Sequence, residues 1–166
     1  IIQKYFSKNS SKDKLLNDNL SICLEKQEDL RYGENPHQKS AFYLPDEKQI
    51  IWKKIQGKKL SYNNYFDMDS AISLVYEFDE LSCVIIKHSN PCGFSLGQTL
   101  KQAYLSAVST DPISYFGGIV AFNREIDLES ALELNKSFLE CIVAPSFSNE
   151  ASEELKKKKN LRLITI

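Results

Sequence analysis

A layered α/β fold, with helices on the faces of a largely parallel sheet, is the class this sequence predicts, and three observations predict it. From Asp69 onward, stretches with helical apolar spacing alternate with short unbroken apolar runs, the order that builds α/β layers. Those runs, Cys83 to Ile86, Ile119 to Phe122 and Cys141 to Ala144, lack the polar alternation of a strand with one wet face and read as strands covered on both sides. The chain has 166 residues, 26% charged and 42% hydrophobic, which is one ordinary globular domain. A domain this long buries roughly 70% of the surface of its unfolded chain, so it needs no disulfide or metal staple.

Taken in order, residues 1–25 are polar and rich in Lys and Asn and read as a linker or N-terminal arm. Ser40 to Leu44 and Ile50 to Ile55 are short strands separated by Pro45-Asp46, with Gln56-Gly57-Lys58 as a turn. Between Leu30 and Asn64 no helix is predicted. Ala71, Leu74, Val75, Phe78 and Leu81 share one helical face, which predicts a helix from Asp69 to about Leu81. The strand Cys83 to Ile86 follows and ends at Lys87-His88. A helix from about Leu96 to Ser109 is stopped by Asp111-Pro112. Gly117-Gly118 opens the strand Ile119 to Phe122. Asp127 caps a helix running to about Phe138, and Cys141 to Ala144 is a strand ended by Pro145. A polar helix from Asn149 to Lys158 leads to the strand Leu161 to Ile164. The lysines 156–159 read as the last turn of a surface helix, where cations oppose the helix dipole.

Composition excludes several functions. The 21 basic and 22 acidic residues give a formal charge of −1, which is not the electrostatic footprint of a nucleic-acid binder or a membrane-surface protein. No apolar run approaches the ~20 residues of a membrane span. The N-terminus starts at Ile1 rather than Met and lacks a signal-peptide pattern, and the C-terminus stops on an apolar stretch. The expectation is therefore a cytoplasmic chain that is a piece of a longer product. Cys23, Cys83, Cys92 and Cys141 form no C-x-x-C pair, so reduced thiols are expected.

Ligands of open parallel sheets gather outside the carboxyl ends of the strands, and that rule points to Lys87-His88-Ser89-Asn90-Pro91-Cys92-Gly93. A cation, an imidazole, a hydroxyl and an amide there directly follow a buried strand, read as a loop leading toward a helix. Other polar clusters are Leu30 to Gln38, which combines an arginine fork suited to phosphate with Tyr32 and His37; Leu60 to Asn64; and Ser114 to Gly118, whose glycines let a backbone approach a ligand. His37 reads as structural. Nothing beyond Lys87 and His88 favours a thiolate at Cys92, which also reads as structural. A zinc deaminase would need H-x-E and P-C-x-x-C; His88-Ser89-Asn90 lacks the glutamate and Pro91 to Ser95 lacks the second cysteine.

The ordered motifs Leu30 to Gln38, Leu60 to Asn64, Lys87 to Gly93, Asp111-Pro112, Phe116 to Ala121 and Ile142 to Pro145 together resemble the AICAR transformylase domain of the bifunctional purine biosynthesis enzymes, over about Leu24 to Leu163. That resemblance implies a cytidine-deaminase-like subdomain without zinc, with residues 26–166 as the first part of the domain. The IMP cyclohydrolase domain and the second transformylase subdomain would then be absent. It implies formyl transfer from 10-formyltetrahydrofolate, a co-substrate, to the 5-amino group of AICAR, without a catalytic metal, in a homodimer. The chain alone is expected to be inactive.

The resemblance gives Lys87 and His88 the catalytic roles and makes Arg31, Tyr32, Asn64, Asn90, Phe116 and Gly117 substrate contacts. Arg31 and Tyr32 would lie near the nucleotide phosphate. Ser89 stands where relatives often carry Thr, and either keeps a hydroxyl. The chemistry suits those residue types: a weakly nucleophilic amine needs a base, and imidazole titrates near neutral pH as a class. Charge developing on the formyl oxygen is stabilised by a fixed ammonium. The competing reading is a non-catalytic nucleotide-binding or dimerisation module of the same fold.

Overall fold

The apolar runs legible in the sequence become the middle of a six-stranded sheet. A computed structural model describes residues 22–45 and 50–166. In chain order its elements are β1 (Glu25–Asp29), β2 (Ala41–Leu44), β3 (Lys53–Gln56), α1 (Tyr62–Val75), β4 (Ser82–Lys87), β5 (Asn90–Leu96), α2 (Leu100–Thr110), β6 (Ile119–Phe122), α3 (Leu128–Leu134), β7 (Cys141–Ala144), α4 (Asn149–Leu155) and β8 (Arg162–Thr165). β1 and β2 form a separate antiparallel ribbon, and the main sheet has the order β3-β8-β7-β6-β4-β5.

Side chains along each central strand point alternately to two apolar layers. Cys83, Ile85, Val120, Phe122, Ile142 and Leu163 pack under α2, α3 and α4. Val84, Ile86, Ile119, Ala121, Val143 and Ile164 face α1 through Met68, Ala71 and Val75. β4 is buried except at its last residue, and β6 and β7 are buried throughout, as strands covered on both faces should be. Cutting a central side chain such as Ile142 to Ala would cost about 2–5 kcal/mol.

The sheet is not largely parallel. β6, β7 and β8 run parallel, while β4 pairs antiparallel with both β5 and β6 and β3 antiparallel with β8. The expectation failed at β5, a strand read as loop and helix start because it contains Pro91 and Gly93. Both are tolerable at this position. β5 is the sheet edge, where Pro need not donate to a ladder, and the register shifts between Ile85 and Ile86 opposite this stretch. α2 crosses so near that a Cβ at Gly93 would lie 2.2 Å from the Ala107 carbonyl oxygen, so glycine is required there.

Element ends moved for local reasons. α1 begins at Tyr62, not Asp69, because Ser61 and Asn64 form a reciprocal capping box, and it ends at Val75, short of Leu81. α2 starts after its Thr99 cap. Asp127 caps α3 as expected, but α3 and α4 stop at Leu134 and Leu155, before Phe138 and Lys158. Polar β1, exposed at four of its five positions, carries no apolar signal and went unpredicted. The proposed arm lies mostly outside the described residues. Lys156 and Lys157 pair with Glu153 and Glu154, a solvated face.

Candidate functional site

Because β4 runs against β6, with Ile86 opposite Ile119, the carboxyl end of β4 meets the amino ends of β6, β7 and β8. The predicted site residues gather at that end. The carboxyl-end rule therefore holds for β4 and for β3, whose Gln56 lies opposite Leu163 near the amino end of β8; for the parallel strands the cluster lies at the opposite end from the one expected.

His88 and Ser89 are the two central residues of a tight hairpin turn, not a loop leading into a helix, since Lys87 pairs with Asn90. Their φ angles are +52° and +59°, the pair of positive values a two-residue hairpin turn of this hand needs, usually met by Asn-Gly. Each non-glycine residue there costs about 1–2 kcal/mol. Hydrogen bonds hold the turn: Asn90 Nδ2 donates to the His88 carbonyl at 2.8 Å, and Ser89 donates its N–H at 2.7 Å and its hydroxyl at 3.3 Å to Asp67 Oδ1 on α1. The His88 side chain is exposed.

Lys87 leaves the sheet beside β6, and its Nζ donates to the Phe116 carbonyl at 2.8 Å. An ammonium has three donors, so others stay available. Gly117 (φ +73°) turns the backbone so that its N–H reaches the Phe138 carbonyl at 2.8 Å, and the Phe116 and Phe138 rings lie 5.4 Å apart. Just before this segment, Asp111 Oδ1 accepts the N–H groups of Ile113 at 3.1 Å and Ser114 at 2.9 Å. The Ser114 hydroxyl and these N–H groups hold the Asp111 carboxyl below the usual range.

Arg31 and Tyr32 reach the same end by another route. The Arg31 N–H donates to the Leu60 carbonyl at 2.8 Å and the Tyr62 N–H to the Tyr32 carbonyl at 3.0 Å, stitching this loop to the start of α1. The Arg31 guanidinium lies over the Tyr32 ring at 5.2 Å and opens onto a small concavity with Lys58, Phe138, Asn160 and Arg162. Phe138 thus links the Arg31 side to the Lys87 side. Asn64 is largely committed to structure, its Oδ1 accepting from the Ser61 N–H at 3.0 Å and hydroxyl at 3.1 Å. Cys92 faces the Ile85 carbonyl, and burial pushes its thiol up, in keeping with a structural thiol. Among the described residues, no three or more His, Cys, Asp or Glu side chains are grouped to hold a metal ion.

Three further participants were missed by sequence reasoning. Asp67 lies before the helix that the apolar spacing predicts from Asp69 but inside α1 as it forms. Phe138 was read as the end of a helix. Arg162, only 3% exposed, donates to Glu140 Oε2 at 2.6 Å and to the Lys59 carbonyl, pinning the Lys58 to Ser61 segment at this end. A lone arginine in the apolar run Leu161 to Ile166 was the available signal.

The AICARFT/IMPCHase bienzyme family model matches residues 1–166. The chain belongs to the AICARFT/IMPCHase bienzyme family. It is 52% identical over 153 residues to the bifunctional purine biosynthesis protein PurH of Halalkalibacterium halodurans, covering 90% of this chain and 30% of that protein. With the PurH of Fusobacterium nucleatum it shares 52% over 155 residues, 92% of this chain and 31% of that one. It thus spans about 30% of the length of these AICARFT/IMPCHase relatives. Among solved structures, Acinetobacter baumannii RibD, form 2, is similar at a TM-score of 0.45 and 17% identity over 60% of this chain and 35% of that one, too slight a likeness to bear on fold or function. No helix among the described residues is long and apolar enough to cross a membrane.

Proposed function

We propose that this chain carries the base and the cation for formyl transfer from 10-formyltetrahydrofolate to the 5-amino group of AICAR, as part of a longer enzyme of purine biosynthesis. The observation that carries the reading is Lys87 at the end of β4, bonded to the Phe116 carbonyl, with His88 next to it on a strained turn, in a chain of this family. The amine nitrogen attacks the formyl carbon; the new N–C bond forms, and the bond from that carbon to N10 of the folate breaks. His88 takes the proton the amine loses, and one proton is gained by N10, so the exchange balances. A free Lys87 N–H faces the oxygen on which charge builds. Arg31 and Tyr32 hold the nucleotide at its phosphate, and Asn64, Asn90, Phe116 and Gly117 line the rest. No metal takes part in this reading, and the cytidine-deaminase-like subdomain, residues 26–166 as the first part of the domain, the homodimer and a cytoplasmic location belong to the same proposal.

With the chain spanning about 30% of its relatives' length, the isolated chain is expected to bind AICAR weakly and turn nothing over. The test measures tetrahydrofolate release with this chain, its full-length parent, and the parent carrying His88→Ala. An active parent, a silent fragment and a crippled variant are the expected result. Normal turnover by the variant would remove His88 from the chemistry, and a parent without transfer would leave the nucleotide-binding module as the better account.

A further inference from the structure

His88 stands on the most costly backbone of the site, since it and Ser89 both hold positive φ without glycine. Strain of this kind persists only where surrounding groups over-determine it. One of those groups comes from a different element: Asp67, two turns into α1 counted from its cap, accepts both the N–H and the hydroxyl of Ser89 on a single carboxylate oxygen. Asp67, His88 and Ser89 also share one cleft of about 450 Å³ with Tyr62, Asn63 and Phe66. The turn is thereby fastened to a helix that packs on the core through Met68, Ala71 and Val75 and whose own start is fixed by the Ser61-Asn64 box, so the backbone that carries the imidazole is held from the core as well as by the edge hairpin.

We infer that Asp67 is a positioning residue for His88: its carboxylate holds the His88-Ser89 turn in its left-handed form and so aims the imidazole into the cleft. The inference rests on the formyl-transfer reading for its kinetic consequence, though not for its geometry. An ordinary hairpin of this kind would use Asn-Gly and need no external anchor; a His-Ser turn does, because the histidine cannot be exchanged for a better turn former without losing the base.

The test uses the full-length parent with Asp67→Ala, Asp67→Asn and the double variant Asp67→Ala/Ser89→Gly. Two readouts are taken, steady-state formyl transfer and deuterium uptake of the peptide spanning the β4-β5 turn. Alanine suits a helix, so the fold should survive the first change. Displacing a catalytic group by about 1 Å can cost on the order of 100-fold, and Asp67→Ala is expected to lower kcat about 10- to 100-fold with the KM for AICAR within about threefold. Uptake should quicken at the turn and not across the sheet. Asp67→Asn keeps an acceptor oxygen for the Ser89 N–H and should recover most of kcat; the glycine, which adopts positive φ without strain, should recover part of it in the double variant. Unchanged kcat in Asp67→Ala, equal damage from Asp67→Asn, or unchanged uptake at the turn would each overturn the inference. A parent with no transfer would sink the functional reading alone, and the uptake arm would still decide whether Asp67 holds the turn.

Discussion

The two ends of the main sheet treat their polar residues in opposite ways. At the carboxyl ends of β6 and β7, polar groups bond to one another and to the backbone, Asn123 in the interior and Arg124 and Glu125 at the surface. Asn123, 4% exposed, accepts from the Ser82 N–H at 3.0 Å and donates to the carbonyls of Phe78 and Glu80. Arg124 donates to the Asp79 carbonyl, the Ser146 hydroxyl to Glu125, and Ile126 bridges to Phe147. At the other end His88 and Arg31 are exposed, the turn is strained, and two concavities open. Polar groups that close on one another build structure; polar groups held at a cost and left facing a cleft are available for chemistry. An apolar sheet with helices on both sides offers either end to a ligand, and here the antiparallel β3 and β4 bring their carboxyl ends to the end that holds Lys87 and His88.

The comparison breaks most visibly at His88. His88→Asn in the parent keeps a residue that tolerates left-handed backbone while removing the base, so kcat should fall about 10²- to 10⁴-fold with the thermal midpoint unmoved; a small loss would mean that this end is structural too. Arg31→Ala comes next. Losing a charged hydrogen bond of about 1.5–3 kcal/mol should raise the KM for AICAR about 10- to 100-fold, again without loss of stability in urea.

Asn123→Ala sharpens the contrast from the other end. It leaves a buried Ser82 N–H unpaired, which should cost about 1–3 kcal/mol of unfolding free energy while kcat at low temperature stays near that of the parent. A change in kcat out of proportion to the stability loss would tie the quiet end to the working one.

The smallest effect is alkaline. Burial pushes the Tyr104 hydroxyl up to about 12 from 10.0, with the nearby Ser137 hydroxyl drawing it partly back. Between those values the unfolded chain has lost the proton and the folded chain has kept it, so stability falls as pH rises through the window. Tyr104→Phe should flatten that fall in urea titrations at high pH, with stability at pH 7 within about 1 kcal/mol of the parent. Tyr65, raised by burial and then by Glu28, and the Cys83 and Cys141 thiols, raised by burial, contribute to the remaining slope. An unaltered slope in the variant would show that Tyr104 is not the titrating group.

Much of the fold was legible because its signals are local. β6 and β7 were placed to the residue, since an unbroken apolar tetrapeptide between polar neighbours has one economical use, and Asp127 was recognised as a cap from its residue type. β1 was invisible because nothing in Glu25 to Asp29 marks one face as buried, and β5 was hidden by Pro91 and Gly93, which propensity counts against a strand and an edge position permits. Of the site, the segments around Lys87, Arg31, Asn64 and Phe116 could be listed from their chemistry and from the family resemblance. Their meeting at one sheet end could not.

Local sequence therefore determined which residues are apolar enough to be buried, that Asp127 caps a helix, and which short segments bear polar groups suited to chemistry, because each depends on side-chain type within a few positions. The tertiary structure alone decided the direction of β4 against β6, the left-handed turn at His88-Ser89, and the reach of Asp67 and Phe138 into the site. Those depend on pairings between residues far apart in the chain, where register and packing against distant neighbours override what any local stretch prefers.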